Sequence, residues 1–375
     1  MLPLEHTASE KDSPSRPPGL RLIAQAQKRA VKNGKAFDLT LELTHRCNVA
    51  CRHCYIIPGE EELPFPEWEG ILQQLADHGV FVLTLTGGEP TLYSRFFDLL
   101  DVTARLGFAV RLFSNLTTLS EEDVDRLCGA NILGVETTFH AADPEVHDRF
   151  CRSPGAFART MRALALLKDR GLPAAIKTAW TRCNHEDPAA MFRLAADLGL
   201  PMRASPSVSP RRDMSTDHFT CKLSEGEVFE LFMKLIQLSE DPAQYASCDT
   251  YPLPKGDYGF CGAGVTGVRV TPSGKVHPCV EMQQIVGDLR RQSFEEIWND
   301  SPFLKKLRTL RLRDATECMN CPDLRFCFRC PGLAYNEGAG LCGPATEACL
   351  LARVNRRTLE ALSESPVLET SETSE

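Results

Sequence analysis

The feature that most constrains the fold is a regular alternation of short apolar segments and amphipathic segments across residues 37–206. Residues 81–85, Phe-Val-Leu-Thr-Leu, form a nearly continuous apolar run, as expected for a parallel strand buried on both faces. Residues 66–77 instead begin with Pro66 and carry apolar side chains at helical spacing. We predict strands near 38–44, 81–85, 109–113, 132–138, 174–179 and 201–205, and helices near 66–77, 94–105, 121–129, 156–170 and 187–198. Repeated strand–helix units imply a parallel sheet with right-handed crossovers.

Three cysteines follow the first predicted strand in the spacing C-x3-C-x2-C, at Cys47, Cys51 and Cys54. We call them the cysteine triad. Three thiolates this close can hold three irons of a cubane cluster and leave the fourth iron without a protein ligand. An open metal position generally marks chemistry rather than structure. A zinc site with His53 as its fourth ligand is the alternative.

A second motif lies at the end of the next predicted strand, where the chain reads Gly87-Gly88-Glu89-Pro90. Paired glycines allow the backbone to approach a ligand closely. Together with the cysteine triad, this motif resembles the radical S-adenosylmethionine (radical SAM) enzymes. In that family the triad binds a 4Fe–4S cluster, the Gly-Gly-Glu-Pro motif holds the methionine amino group, and one electron cleaves the cofactor to a 5′-deoxyadenosyl radical. The resemblance implies an α/β fold, a partial (β/α)6 TIM-like barrel followed by a small cysteine-rich domain.

Polar residues close three further predicted strands. Ser114 and Asn115 follow the third strand, Thr138 ends the fourth and Lys177 lies on the fifth. They resemble the family's contacts to the ribose and the methionine carboxylate. Local capping or turn hydrogen bonds are the alternative. His147 lies in a stretch that resembles the peptide-modifying branch of the family, and we expect it to stabilise a loop rather than to face a substrate.

Most of the remaining cysteines lie in residues 251–350. Their order resembles the SPASM extension of radical SAM enzymes, which binds two auxiliary 4Fe–4S clusters. The resemblance assigns the distal cluster to Cys318, Cys321, Cys327 and Cys349, with Cys342 competing for the last position, and the proximal cluster to Cys261, Cys279 and Cys330. The fourth proximal ligand is open: Cys248 is a candidate, and an open iron is the other possibility.

One alternative interpretation and one departure from the family pattern concern this region. A four-thiolate zinc knuckle of Cys318, Cys321, Cys327 and Cys330 would also suit the spacing. Cys128, Cys151, Cys183 and Cys221 match no cluster motif and are predicted to be core thiols. Sulfatase-maturing relatives carry an Asp after the second extension cysteine, whereas this chain has Val280 followed by Glu281, which is a weak candidate for a catalytic acid or base.

Composition narrows the setting. The chain has 375 residues, a net charge of −8 and 16 cysteines. The negative charge argues against a nucleic-acid partner, and no apolar run is long enough to span a membrane. The N-terminus shows no signal peptide, so we expect a cytoplasmic protein whose cysteines bind metal rather than form disulfides.

We divide the chain into five parts: a partly disordered lead (1–36), the radical SAM barrel (37–206), a bridging segment (207–250), the SPASM-type domain (251–350), and a helix end with an acidic tail (351–375). The lead includes a short basic helix near 21–33, and the bridge a helix near 224–238.

The resemblance implies an oxidoreductase that modifies a peptide or protein side chain, for example as a maturase that forms a thioether or carbon–carbon cross-link. It also implies an electron donor of the flavodoxin or ferredoxin type. The alternatives are a radical SAM enzyme that acts on a tetrapyrrole or another small molecule, and a non-catalytic iron–sulfur or zinc-binding protein.

Overall fold

A computed structural model of the protein describes residues 18–185, 187–238 and 259–364. The predictions for the beginning of the lead, for Cys248 and for the acidic tail lie outside these residues. The first part of the described chain contains α1 (Pro18–Lys32), β1 (Asp38–Thr44), α2 (Phe65–His78), β2 (Val82–Gly87), α3 (Phe96–Arg105), β3 (Ala109–Phe113), α4 (Glu121–Cys128), β4 (Ile132–Thr138), α5 (Pro144–Cys151), α6 (Ala156–Asp169), β5 (Ala174–Ala179), α7 (Pro188–Leu198) and β6 (Met202–Ser205). The second part contains α8 (Glu225–Gln237), β7 (Arg269–Val270), β8 (Lys275–His277), β9 (Gly287–Asp288), α9 (Phe294–Asp300), α10 (Pro302–Thr309), α11 (Thr316–Met319), α12 (Pro331–Asn336) and α13 (Thr346–Ser363).

The strands form one nine-stranded sheet in the order β6-β5-β4-β3-β2-β1-β7-β8-β9. The first six strands are parallel to their neighbours and follow one another in chain order, which confirms the predicted α/β fold. Four of the six predicted strands have the observed bounds, and β2 and β6 differ by one or two residues. This order places the carboxyl ends of six strands along one edge, where ligands of such barrels gather.

The cysteine-rich part extends the same sheet. β7 pairs in parallel with β1. The strands β7, β8 and β9 then form a small antiparallel meander. β1 therefore lies between β2 and a strand from the second half of the chain. The sequence does not predict this continuity, because strands of two or three residues carry no readable periodicity.

The two faces of β1 have different environments. Leu39, Leu41 and Leu43 are buried in one apolar cluster with Trp68 and Leu72 of α2. Thr40, Glu42 and Thr44 alternate with them and point to the opposite face, since successive strand residues face opposite sides. That opposite face is the barrel interior, and it carries polar and charged side chains.

One barrel element was not predicted. Residues 144–151 form the helix α5, whose N-cap Asp143 accepts hydrogen bonds from the backbone N–H groups of Glu145 and Val146. An Asp before a Pro is a helix-start signal that the sequence does contain. None of the helices in the described residues combines the length and the apolar character that crossing a bilayer requires.

Candidate active site

The cysteine triad lies in a loop that begins at the end of β1 and is held by the end of β2. The N–H of Gly88 donates to the carbonyl of Thr44 (2.7 Å), and the N–H of Glu89 donates to the carbonyl of Arg46 (2.8 Å). A Cβ at Gly87, which has φ +143°, would lie 2.1 Å from the Thr44 oxygen, and one at Gly88 would lie 2.3 Å from the Arg46 oxygen. Both positions therefore require glycine, because the end of β2 lies too close to the triad loop at the end of β1 to leave room for a side chain.

The three thiols of the triad lie close enough to influence one another's ionisation. Burial raises the pKa of Cys47 to about 11, and the charges of Glu89, Cys51 and Cys54 add to the rise. Burial also raises the pKa of Cys54, with a further contribution from Cys51. Without a metal, these raised pKa values keep the thiols protonated at neutral pH. A cationic metal group bound by the three converging thiols would displace their protons.

Glu89 joins the ends of β2 and β3. It is fully buried, and its carboxylate accepts hydrogen bonds from the Thr91 hydroxyl (2.7 Å), the Ser114 hydroxyl (2.8 Å) and the Asn115 N–H (2.8 Å). Burial raises the pKa of Glu89. The carboxylate thus fixes Ser114 and Asn115 beside the triad loop.

Asn115 contacts the triad loop directly. Its side-chain amide nitrogen donates to the side-chain oxygen of Asn48 (2.9 Å) and lies 3.8 Å from the Cys47 sulfur. Asn48 in turn donates to the Thr117 hydroxyl (2.7 Å). The end of β3 therefore positions the first cysteine of the triad.

Lys177 and Thr138 lie on neighbouring strands, paired in register across β4 and β5. The Lys177 ammonium lies 2.7 Å from the Glu136 carboxylate and 3.1 Å from the centre of the Phe113 ring. Burial lowers the pKa of Lys177, although Glu136 opposes this effect. Arg111 and Arg203 also face Glu136, so this side of the barrel interior has more cations than carboxylates.

Cys151, predicted to be an unremarkable core thiol, lies beside the triad instead. It forms a hydrogen bond with Cys51, and the ligand atoms of Cys51, Cys151 and His140 lie within 4.8 Å of one another. The N–H of His140 donates to Nδ1 of His147 (3.2 Å), so the proton of neutral His147 is on Nε2, 3.5 Å from the Cys151 sulfur. His147 therefore orients Cys151.

His53 packs among aromatic rings and does not complete a zinc site with the triad. Its ring lies 5.0 Å from that of His140 and 5.4 Å from that of Phe150, centre to centre. In the described part of the chain, the one cluster of cysteine, histidine and acidic ligand atoms compact enough for a metal ion is that of Cys51, His140 and Cys151.

The structure brings Cys261, Cys279 and Cys330 together, and we call them the proximal set. Burial raises the pKa of Cys279 to about 11, with a contribution from Cys261. Burial raises the pKa of Cys330 to about 11 as well, with contributions from Cys279 and Glu281. These three cysteines are far apart in sequence, so the fold itself creates the group.

Cys318, Cys321, Cys327 and Cys349 form a second group, the distal set. Burial raises the pKa of Cys327 to about 11, and Cys349 and Cys318 add to the rise. Burial also raises the pKa of Cys349, with contributions from Cys318 and Cys321. The charged neighbours of Cys342 are Arg329, Asp314 and Lys306 rather than cysteines. Cys330 is influenced by Cys279 and Glu281 rather than by the distal thiols, which favours its assignment to the proximal set over the alternative zinc knuckle of Cys318, Cys321, Cys327 and Cys330.

A charged network joins the barrel to the cysteine-rich part. Arg212 donates to the Glu42 carboxylate (2.5 Å) and to the carbonyl of Val280, and its guanidinium lies 4.5 Å from the centre of the Tyr55 ring. Arg269 of β7 approaches the other Glu42 oxygen (3.4 Å). Burial alone would raise the pKa of Glu42, but the hydrogen bond from His45 and the two arginine charges lower it to about 2. Sequence reasoning misses this network, because Glu42, Arg212 and Arg269 are far apart in the sequence and carry no shared motif.

A cavity of about 480 Å³ lies between the loop after β6 and the cysteine-rich part. Ser209 and Phe219 line one side, and Glu281, Phe328 and Cys330 line the other. The Ser209 hydroxyl donates to Glu281 (2.9 Å), and burial raises the pKa of Glu281. The cavity therefore places a carboxyl group and a thiol of the proximal set against the same space.

Comparison with known proteins agrees with this architecture. The radical SAM superfamily model matches residues 41–194, and the model of the iron–sulfur cluster-binding SPASM domain matches residues 261–322. The chain belongs to the radical SAM superfamily and carries a SPASM domain. It is an enzyme that uses a 4Fe–4S cluster and S-adenosylmethionine, with auxiliary iron–sulfur clusters in the SPASM domain.

Three curated relatives show the range of activities around this chain. It is 28% identical over 319 residues to the AdoMet-dependent heme synthase of Methanosarcina barkeri, covering 78% of this chain and 90% of the relative. It is 28% identical over 344 residues to the PqqA peptide cyclase of Rhizobium meliloti, covering 85% of this chain and 88% of the relative. It is 27% identical over 321 residues to the Bacillus subtilis subtilosin biosynthesis protein AlbA, covering 80% and 68%.

Two solved structures share the fold. Streptococcus suis SuiB bound to its precursor peptide SuiA aligns with a TM-score of 0.67 at 16% identity, covering 90% of this chain and 82% of that chain. The enzyme anSMEcpe with bound AdoMet aligns with a TM-score of 0.69 at 15% identity, covering 87% and 98%. At these identities the likeness establishes the arrangement of the elements.

Proposed function

We propose that this protein is an oxidoreductase that modifies a side chain of a peptide or protein, as a maturase that forms a thioether or carbon–carbon cross-link. The observation that carries the proposal is the cavity between the barrel mouth and the proximal set. Its volume of about 480 Å³ suits a side chain with part of its backbone. Relatives named as a PqqA peptide cyclase and a mycofactocin maturase act in the same class.

In this proposal the cysteine triad holds the catalytic cluster, and the proximal and distal sets hold the auxiliary clusters. S-adenosylmethionine lies at the strand ends formed by the Gly87–Pro90 motif, Ser114, Asn115, Thr138 and Lys177. When bound, these groups supply the radical that removes a hydrogen atom from an unactivated C–H bond and the centres that accept the electron released in a net oxidation. A donor of the flavodoxin or ferredoxin type supplies the electron that starts the reaction.

In this proposal Glu281 takes a proton from a substrate group in the cavity. It is held by Ser209, and burial raises its pKa, which brings it closer to the working range of a general base. Because its carboxylate lies in the same wall as Cys330, proton and electron removal can occur at one position.

The charge of the cavity favours a neutral or cationic side chain. Glu281, Glu337 and Glu347 line it together with one ammonium, Lys222, which pairs with Glu347. A tetrapyrrole with carboxylate side chains would meet like charges there, and like charges in contact oppose binding.

A tetrapyrrole substrate is nevertheless the second candidate, because the heme synthase of Methanosarcina barkeri matches this chain over 90% of its own length. The heme synthase and the peptide cyclase each share 28% sequence identity with this chain, so sequence identity does not distinguish the two functions.

The two candidates can be separated with anaerobically reconstituted protein, dithionite and S-adenosylmethionine. One arm receives a pool of synthetic peptides that contains all twenty side chains, and the other receives an iron porphyrin with propionate groups. We expect a peptide product two hydrogen atoms lighter by mass spectrometry, and 5′-deoxyadenosine release that rises with peptide.

The Glu281→Gln variant should lose most of the product while it retains cleavage of the cofactor. Glu337→Gln is the matched control, because Glu337 also lines the cavity but its carboxylate is occupied by Thr346. Modification of the porphyrin with no change in any peptide would overturn the proposal in favour of the second candidate.

A further inference from the structure

Arg329 is a buried cation that faces thiols rather than a carboxylate. It is 8% exposed, its Nη1 donates to the Cys318 sulfur at 2.5 Å, and its Nη2 donates to the carbonyl of Gly343 at 3.1 Å. Its guanidinium carbon lies 4.7 Å from the centre of the Phe260 ring. Among residues 18–185, 187–238 and 259–364, no Asp or Glu forms an ion pair with it.

The place of Arg329 in the chain connects the two auxiliary sets. It lies between Cys327 of the distal set and Cys330 of the proximal set, and Phe260 is adjacent to Cys261 of the proximal set. Its backbone has φ +27°, an unusual value for a residue with a side chain. Strained backbone of this kind persists when the surrounding structure holds it, and it concentrates at functional sites.

A buried cation needs a buried anion, because transfer of an unpaired charge out of water is costly. Besides the Gly343 carbonyl and the Phe260 ring, the guanidinium faces the Cys318 sulfur, and its charge also acts on Cys327 and Cys342. Thiols are neutral when protonated and become anionic ligands when they bind iron. The structure therefore contains the positive partner of an anionic metal–thiolate group.

We propose that Arg329 is the counter-ion of the auxiliary cluster held by the distal set, and that it raises the reduction potential of that cluster. The inference rests on the ligand assignment proposed above. One-electron reduction adds a negative charge to the cluster, and a cation that donates to a ligand sulfur stabilises the reduced form more than the oxidised form. Arg329 acts through Cys318 and is thus a positioning residue.

The consequence is a difference in reduction potential between the two auxiliary clusters, with the distal cluster at the higher potential. The proximal set lies against the cavity, and the distal set lies beyond Arg329. A higher potential on the distal side favours movement of an electron away from the cavity. The C-x2-C spacing of Cys327 and Cys330 places the arginine between the two sets.

The test is an EPR-monitored redox titration of the full-length protein with the cysteine triad changed to Ala, reconstituted anaerobically, so that the auxiliary clusters alone contribute. The variants are Arg329→Gln and Arg329→Lys. Arg290→Gln is the control, because Arg290 pairs with Glu61 and Glu67 at the surface.

We expect Arg329→Gln to retain the iron of its parent and to lower one of two midpoint potentials. The reduction equilibrium should change about tenfold, which is about 59 mV for a one-electron couple. Arg329→Lys should recover most of the shift, and Arg290→Gln should show none.

Unchanged potentials in an Arg329→Gln protein with full iron would overturn the inference. If Arg329→Gln loses about four irons, Arg329→Lys decides. If Arg329→Lys retains its iron with a potential near that of the parent, the counter-ion role is supported. If Arg329→Lys also loses iron, Arg329 acts through packing rather than charge, and the inference is overturned. A triad-free parent without iron would overturn the ligand assignment, and this inference with it.

Discussion

The cysteine triad and the auxiliary cysteine sets are built in different ways. The triad is carried by one loop, and that loop is fixed by backbone hydrogen bonds from the end of β2 and by Asn115 after β3. Two cysteines of the distal set come from short elements, since Cys318 lies in the four-residue helix α11 and Cys327 follows a three-residue 3-10 turn, whereas Cys349 lies in the first turn of the long helix α13.

This difference indicates which site exists before metal binding. A parallel sheet positions the triad through bonds that do not depend on a cluster. Cys318, Cys321 and Cys327 of the distal set lie in short or irregular segments, so metal binding must contribute to the folding of this part, as it does in small metal-binding domains. The following predictions test this contrast, beginning with the largest expected effect.

We expect Gly88→Ala to displace the cysteine triad. The added Cβ would lie 2.3 Å from the Arg46 carbonyl oxygen, so the triad loop must move, at a cost of about 1–3 kcal/mol. We expect at least a tenfold decrease in 5′-deoxyadenosine release and a loss of iron from the triad.

The matched control for this variant is Gly70→Ala in α2, where nothing lies within 4 Å of the new Cβ. Alanine should stabilise that helix slightly and leave the cofactor chemistry unchanged. Normal activity of Gly88→Ala would show that the sheet does not hold the triad rigidly.

Cys349→Ala and Cys342→Ala form a matched pair in the auxiliary region. Cys349 lies among the distal thiols, whereas Cys342 faces charged residues. Cys349→Ala should lower the iron content by up to about four per chain and increase hydrogen exchange near α11. Cys342→Ala should leave both unchanged, and the reverse result would exchange the two ligand assignments.

The network that joins the two regions should affect the stability of the protein rather than its iron content. Glu42→Gln leaves Arg212 and Arg269 buried without their anion and should cost about 3–5 kcal/mol of unfolding free energy. Urea denaturation of the anaerobic holoenzyme measures this cost. The exposed Glu122→Gln is the control and should stay within about 0.5 kcal/mol of the parent.

The lowered pKa of Glu42 also predicts how the stability of the protein depends on pH. Burial opposes ionisation of Glu42, but His45, Arg269 and Arg212 outweigh it and lower the pKa from 4.5 to about 2. A lowered folded-state pKa gives stability that is complete above about pH 4.5 and is lost as the pH falls towards 2. Glu42→Gln should therefore lose less stability than the parent between pH 5 and 3, and equal losses would contradict the pKa assignment.

The sequence predicts local features of this protein well and long-range ones poorly. The bounds of β1, β3, β4 and β5 follow from hydrophobic periodicity, and the Gly87–Pro90 motif follows from its position after a strand. The pairing of β7 with β1, the contact of Cys151 with Cys51 and the bond from Arg212 to Glu42 do not, because each joins residues that are distant in sequence. The grouping of the auxiliary cysteines is predicted from the family resemblance alone, and the structure brings the same residues together.

The most direct test of the account is the iron and sulfide content of anaerobically reconstituted protein, measured with 5′-deoxyadenosine release after addition of dithionite and S-adenosylmethionine. The comparison is a variant with Cys47, Cys51 and Cys54 changed to Ala. We predict about twelve irons in the parent, about four fewer in the variant, nucleoside release from the parent alone, and similar melting temperatures for the two. About four irons in the parent, or nucleoside release from the variant, would contradict the account.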